Sequence, residues 1–248
     1  MDAIKGQGML WVTSRISKES QDVLDEPTFL KWYDEDHIAE VSTTSGIRDA
    51  FRYVDVEKDS APASKPFLAF YPMPDLAFTQ GEEFRKIRVK SDMLPGSGII
   101  YDMADMDVSY LGLVGKTNGE NRQGPADYLL VSAIEPAEGA SDDEVNGFYD
   151  KQLETVSKSP NYLRSLRFKL LYTRTNAQSR ALKGLDTTDE PNPEPPTWQV
   201  VHEFTRKPDD ETRKVLLGTQ DSFLQRAKQN EVRVYQLAKV HGGGRFFE

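Results

Sequence analysis

With three histidines and no cysteine, this 248-residue chain has a short inventory for chemistry. Lacking a thiol, it has no disulfide, no thiolate metal site and no cysteine nucleophile. Proton transfer falls to imidazole, phenol and carboxylate. His37 follows Tyr33 and Phe29 at helical spacing, which places the three on one face. An imidazole there serves as general acid or base near neutral pH with Tyr33 beside it, or it packs and hydrogen-bonds at the helix end. His202, in "WQVVHEFT", alternates with Trp198, Val200 and Phe204 on one strand face. Tyr71, in "FLAFYPM", falls at the matching position when the two strands are overlaid. If that face looks into a cavity, Tyr71 and His202 polarise a carbonyl; if it lies beneath helices, they are hydrogen-bonded core residues.

Other candidates bind rather than react. Arg15, Arg52 beside Tyr53, and Arg167 offer charge-assisted hydrogen bonds to a carboxylate or enolate, with surface acids as the competing partners. Trp11, Phe70, Trp198 and Phe204 read as walls for an aromatic substrate or as plain core. Asp102, Asp105 and Asp107 lack the loop that a hard cation needs, so no metal is expected. His241, before three glycines, reads as exposed.

These residues are positioned by a repeat. "FLKWYDEDHIAEVSTTSGIRDAFRY" (29–53) lies over "VNGFYDKQLETVSKSPNYLRSLRFKL" (145–170), with Trp32-Tyr33-Asp34 on Phe148-Tyr149-Asp150 and Val41-Ser42 on Val156-Ser157. His37 then meets Gln152, the sharpest difference between the copies. Each copy runs from helix to strand, the mark of a duplicated supersecondary unit.

Alternation marks a first strand at Gly8–Ile16, and Asp25-Glu26-Pro27 opens a helix that ends near Ser45-Gly46. "IRDAFRYVDV" and "FLAFYPM" are strands, "GEEFRKIRVKSDML" a second helix, and "MDVSYLGLVG" a fourth strand. The order β-α-β-β-α-β repeats after a polar linker, with "DDETRKVLLGTQDSFLQRAKQN" as the closing helix. The expected layout is a ferredoxin-like unit at 1–116, a linker at 117–125, and a degenerate unit at 126–248 with a loop insertion at 176–196. The "HGGGRFFE" tail reads as mobile. The fold class is therefore α+β: two tandem ferredoxin-like units whose antiparallel sheets face each other across a barrel-like cavity.

A net charge of -9 argues against nucleic acid, which demands a basic patch, and no apolar run reaches the ~20 residues of a spanning helix. "MDAIKGQGMLWV" lacks a signal-peptide pattern, so a cytoplasmic protein, monomer or homodimer, is the expectation. Nucleotide, hydrolase and metalloprotease motifs are absent from the sequence. The expectation is chemistry without a cofactor on a hydrophobic or aromatic small molecule.

"FLKWYDEDHIAEV", with its aromatic pair Trp32-Tyr33 ahead of His37, resembles the EthD-like branch of the dimeric α/β-barrel superfamily. "GIRDAFRY" and "FLAFYPM" are similar to that family's next two strands, and tandem forms of this size resemble proteins of fungal secondary metabolism. The resemblance implies a cofactor-independent lyase or isomerase performing cyclisation, dehydration or decarboxylation of a polyketide-like or related unsaturated substrate. It also implies two alternatives, a cofactor-free monooxygenase of phenols or anthrones and a non-enzymatic ligand-binding or stress-response module. A haem variant would use His37 or His202 as its axial ligand.

Overall fold

The computed structural model describes residues 4–60, 65–117, 124–187, 194–218, 221–244 and 246–247. It divides into two compact units. The first comprises Met1–Gly112, Leu171–Glu194 and Ala238–Phe247; the second comprises Leu113–Leu170 and Pro195–Leu237.

In the first unit, β1 (Gly8–Ile16) lies between β3 (Phe67–Met73) and β4 (Ala104–Lys116), and β3 pairs with β2 (Ala50–Asp55), all antiparallel. Alternation along β1 sends Leu10 and Val12 into a core with Phe29, Trp32 and Tyr33. Trp11 on the opposite face stacks on Phe70 with ring centres 5.9 Å apart. Helix α1 (Glu26–Trp32) starts where expected, because the Asp25 carboxylate accepts from the Thr28 N–H at 2.8 Å and Pro27 occupies the first turn. It continues through a π turn at Tyr33–His37 into α2 (Ile38–Val41).

The second unit orders β6 (Tyr162–Arg174), β7 (Trp198–Phe204), β5 (Tyr128–Glu135) and β8 (Gln229–His241), again antiparallel. Its first helix is α4 (Asp142–Val156), opened by a reciprocal Ser141/Glu144 capping box. Leu130 faces His202 as Leu10 faces Tyr71, and Arg167 faces Val200 as Arg52 faces Ala69. The duplicated α+β, ferredoxin-like fold expected from the repeat is the fold found.

Four local expectations are corrected. The second helix of the first unit shrinks to α3 (Glu82–Arg85). Beyond it Ile87 and Ser91 are buried while Arg88 and Lys90 are exposed, a two-residue period, and Lys90 bridges Ile99. The insertion is not loop throughout: α5 (Asn176–Leu182) begins at a Thr175/Gln178 capping box. The closing helix is two, α6 (Asp210–Leu217) and α7 (Ser222–Arg226), since Gly218 turns left-handed at φ 36° and Asp221 caps a new start. The tail packs. Phe246 sits 4.8 Å from Phe51, and the Gly244 N–H donates to Asp49 at 3.0 Å. Much of the linker and of the proline-rich tract, 118–123 and 188–193, lies outside the described residues. Among the described residues no helix is long and apolar enough to cross a membrane.

Candidate functional site

The first copy of the repeat carries one residue more than the second between its Tyr-Asp pair and its Val-Ser pair. A regular helix has no room for it, so the chain widens into the π turn at Tyr33–His37, whereas α4 stays regular. The widened turn gathers three rings. His37 stacks on Trp32 at 5.1 Å and meets Tyr33 edge-on at 5.7 Å.

Across from it, Tyr71 projects from β3 on the helix-facing side, beside Leu10 and Val12. Tyr33, His37 and Tyr71 line one cavity of about 60 Å³ between the helix and its own sheet. The sequence pattern placed the site between two facing sheets; these three residues meet beneath the helix instead. Apolar side chains from β1, α3 and the extended segment after it complete most of the wall, with Tyr101, Arg174 and Lys183 at its polar edge.

The three polar groups are orphans. Tyr33 Oη, Tyr71 Oη and His37 Nδ1 are shielded from solvent and have no hydrogen-bond partner. The two hydroxyls lie near enough to each other, and Tyr33 to Ser14, to interact electrostatically without reaching hydrogen-bonding geometry. Burial pushes both phenols well above the ordinary tyrosine range, so both stay protonated donors. Burial pushes the His37 imidazolium down to about 4, with Asp36 opposing and Lys183 assisting. The nearby Arg88 backbone also opposes the shift. Nδ1 has no partner, and in the neutral ring with the proton on Nε2 it presents a free lone pair.

Lys183, just past α5, is pushed down to about 8 by burial and by the neighbouring Arg174 charge. Its Nζ donates to the Arg85 and Ile87 carbonyls, both at 2.6 Å, groups that a longer α3 would have satisfied itself. At the root of α5, the Asn176 side chain joins Ala104 O at 2.7 Å and accepts from Met106 N–H at 2.9 Å. Sequence reasoning missed Lys183 because the insertion read as loop, and Arg174 because it read only as the end of a strand. The signal was Thr175-x-x-Gln178, a helix start directly after Arg174.

The remaining candidates lie elsewhere. His202, in the second unit, is fully buried: Nδ1 is 2.6 Å from Ser165 Oγ and Nε2 is 3.2 Å from Gln152. Burial, aided by Arg167, pushes it down to about 3, so it is neutral. Arg52 makes two 2.8 Å bonds to Asp34. Burial alone would raise the Asp34 pKa, but Arg52 and His241 hold it below the usual carboxylate range. His241 is not exposed, since its Nε2 lies 3.2 Å from Asp34. Arg15 pairs with Asp105, Arg167 with Asp150, Asp102 with Arg180 and Asp107 with Lys65. Trp11, Phe51 and Tyr53 each stack on Phe70, on the sheet face away from the helix. Trp198 packs in the second unit's core with Phe148 and Tyr149, and Phe204 lies against Tyr162.

Neither histidine is set as a haem ligand. Both nitrogens of His202 are engaged, and the His37 cavity is far smaller than a porphyrin. Among the described residues no three His, Asp or Glu side chains converge to hold a metal ion.

No protein-family model matches the chain. No curated protein matches it. Among solved structures it is similar to an anthrone oxidase-like protein, with TM-score 0.56 and 14% identity over 97% of this chain and 94% of that one. It is also similar to a mutant chlorite dismutase from Candidatus Nitrospira defluvii, with TM-score 0.50 and 9% identity over 95% and 92%. At such identities the likeness carries the fold alone, an α+β architecture of ferredoxin-like units.

Proposed function

We propose that the chain is a cofactor-independent enzyme that enolises a small unsaturated carbonyl compound in the helix–sheet cavity of its first unit, with a lyase or isomerase outcome. The observation that carries this reading is the set of three orphaned polar groups, His37 Nδ1, Tyr33 Oη and Tyr71 Oη, on one apolar cavity. Native proteins pair buried polar atoms, and leaving three unpaired together is costly unless a ligand pairs them. A neutral imidazole beside two permanently protonated phenols is a base beside an oxyanion donor pair.

His37 Nδ1 takes the proton from the carbon next to the carbonyl, and the C–H electrons move onto the carbonyl oxygen. Tyr71 and Tyr33 donate hydrogen bonds to that oxygen as its charge grows. Return of the proton at a different carbon isomerises the substrate. Attack of the enolate carbon on a second carbonyl of the same molecule cyclises it, and expulsion of hydroxide from the carbon beyond it gives dehydration. From a β-keto carboxylate, loss of CO2 itself sends the C–C electrons onto the carbonyl oxygen, and the enolate so formed takes a proton at carbon from the His37 imidazolium. An imidazolium this acidic is a weak base's partner, so the two phenols must stabilise the enolate. Holding the substrate in a reactive conformer supplies much of the remaining acceleration.

At about 60 Å³ the cavity holds roughly two waters. A ring enters when the α5 segment, tied down by Asn176 and Lys183, yields. The His37 motif supports kinship with the EthD-like branch and secondary metabolism as the setting.

The second reading is oxygenation, which the anthrone oxidase-like neighbour brings forward. Proton abstraction from the ring methylene of an anthrone, conjugated through the aromatic rings to the carbonyl opposite, gives an enolate that reduces dioxygen, converting CH2 to C=O with release of water. The test is incubation of the purified protein with anthrone and with 1-tetralone in D2O. Deuterium uptake, next to the carbonyl of 1-tetralone and at the ring methylene of anthrone, is followed by NMR, and oxygen by electrode. Catalysed exchange that is lost in His37→Ala supports enolisation, and oxygen uptake coupled to it selects the second reading. Absence of both leaves a binding protein.

A further inference from the structure

A buried cation ordinarily sits beside an acid, because charge held away from water without a partner is strongly unfavourable. Arg52 and Arg164 obey that rule. Arg174 does not. It is 8% exposed, its Nε has no partner, and among the described residues no acid pairs with it. The rings of Phe84 and Tyr110, 5.9 and 5.6 Å from its guanidinium carbon, fix the plane of the group but accept no in-plane hydrogen bond. Lys183 lines the same cavity. Two of its three ammonium donors go to the Arg85 and Ile87 carbonyls, which leaves one. The cavity lining thus holds two cations and no aspartate or glutamate.

We infer that Arg174 and Lys183 form an anion subsite in this cavity, and that its ligand is an aromatic or unsaturated compound bearing a carboxylate. A planar carboxylate matches a free guanidinium edge plus one ammonium donor. A phosphate, with more oxygens to satisfy, finds apolar walls on the remaining sides. This deepens the enolisation reading, on which it rests for the reaction though not for binding: the carboxylate end holds the substrate while its carbonyl faces His37 and the phenols.

The test is isothermal titration of the full chain with benzoate and with its neutral isostere benzamide. Benzoate is expected to bind at least about tenfold more tightly, the worth of a charge-assisted pair. That preference should fall to parity in Arg174→Gln and shrink in Lys183→Met. Because Arg174→Gln removes packing as well as charge, Lys183→Met at its half-buried position gives an independent reading, with folding verified by circular dichroism. Equal affinity for the two probes in the unsubstituted protein overturns the subsite, as does a preference untouched by both substitutions or failure of benzoate to bind. Benzoate selectivity without catalysed deuterium exchange supports the subsite and removes the proposed reaction. Exchange without selectivity does the reverse.

Discussion

The same frame is built twice, and the two copies treat their buried polar groups in opposite ways. In the first unit Tyr33, His37 and Tyr71 surround a cavity and leave three polar atoms without partners. In the second, the matching positions are Tyr149, Gln152 and His202. There Gln152 bridges His202 and Ser132, His202 meets Ser165, and Ser165 meets Tyr162. Tyr149 Oη alone of that trio is unpaired. A completed polar network stabilises and rigidifies, while an incomplete one costs stability and waits for a ligand. This difference is what supports the proposal that chemistry belongs to the first unit, with the second as scaffold.

The widest expected separation between the units is in activity. His37→Ala should lower catalysed proton exchange by about 10²- to 10⁴-fold, and Tyr71→Phe by about 10²- to 10³-fold. His202→Leu should leave the rate near that of the unsubstituted protein. Exchange kinetics by NMR measure all three, and a large loss in His202→Leu would erase the functional difference between the copies.

Stability should show the mirror image. Removing Glu203 leaves Arg164, whose side chain is 3% exposed, buried without its acid, so Glu203→Ala should cost about 3–5 kcal/mol in urea unfolding. His202→Leu strands its hydrogen-bonding neighbours and should cost about 1–3 kcal/mol, whereas Tyr71→Phe removes an unpaired hydroxyl and should cost close to nothing. A Tyr71→Phe penalty as large as that of His202→Leu would mean that the phenol is already satisfied.

Acid sharpens the contrast further. His202 is neutral in the fold and its imidazolium is pushed down to about 3, so the unfolded chain binds the proton more readily. Its contribution to stability is therefore present above the unfolded value of about 6.5 and is lost as pH falls from there toward 3. His37 acts likewise down to about 4. Urea midpoints measured from pH 7 to pH 4 should decline, and the decline should be shallower in His202→Leu. The subtlest change concerns the π turn. Deleting Glu35 removes the extra residue and should let α1 and α2 join as a regular helix, with an equal or higher melting temperature and with His37 carried off the cavity.

Much of the frame was legible. The Gly8–Ile16 strand follows from alternation alone, and Asp25 with Pro27 marked the start of α1 by the chemistry of its first N–H groups. Tyr33 and His37 shared a face by spacing, although the single-residue offset between the copies carried a second message, the π turn, that periodicity hides. The helix expected after Glu82 failed because tertiary contacts claimed its residues: Ile87 points into the cavity and Lys183 takes the carbonyls. Arg52 and Arg167 looked like ligand-binding arginines, yet each meets the aspartate of its own repeat, Asp34 or Asp150.

The sequence by itself determined what is local or periodic: the duplicated order of elements, the capped helix starts, the apolar faces, and the absence of thiol chemistry. Only the tertiary structure decided which side of the sheet Tyr71 faces, that His202 is satisfied while His37 is not, and that Arg174 and Lys183 close the same cavity. Alternation and helical spacing say which residues share a face but not what that face is buried against. Hydrogen-bond partners distant in sequence, such as Ser165 for His202 or the Arg85 carbonyl for Lys183, exist only once packing has brought them together.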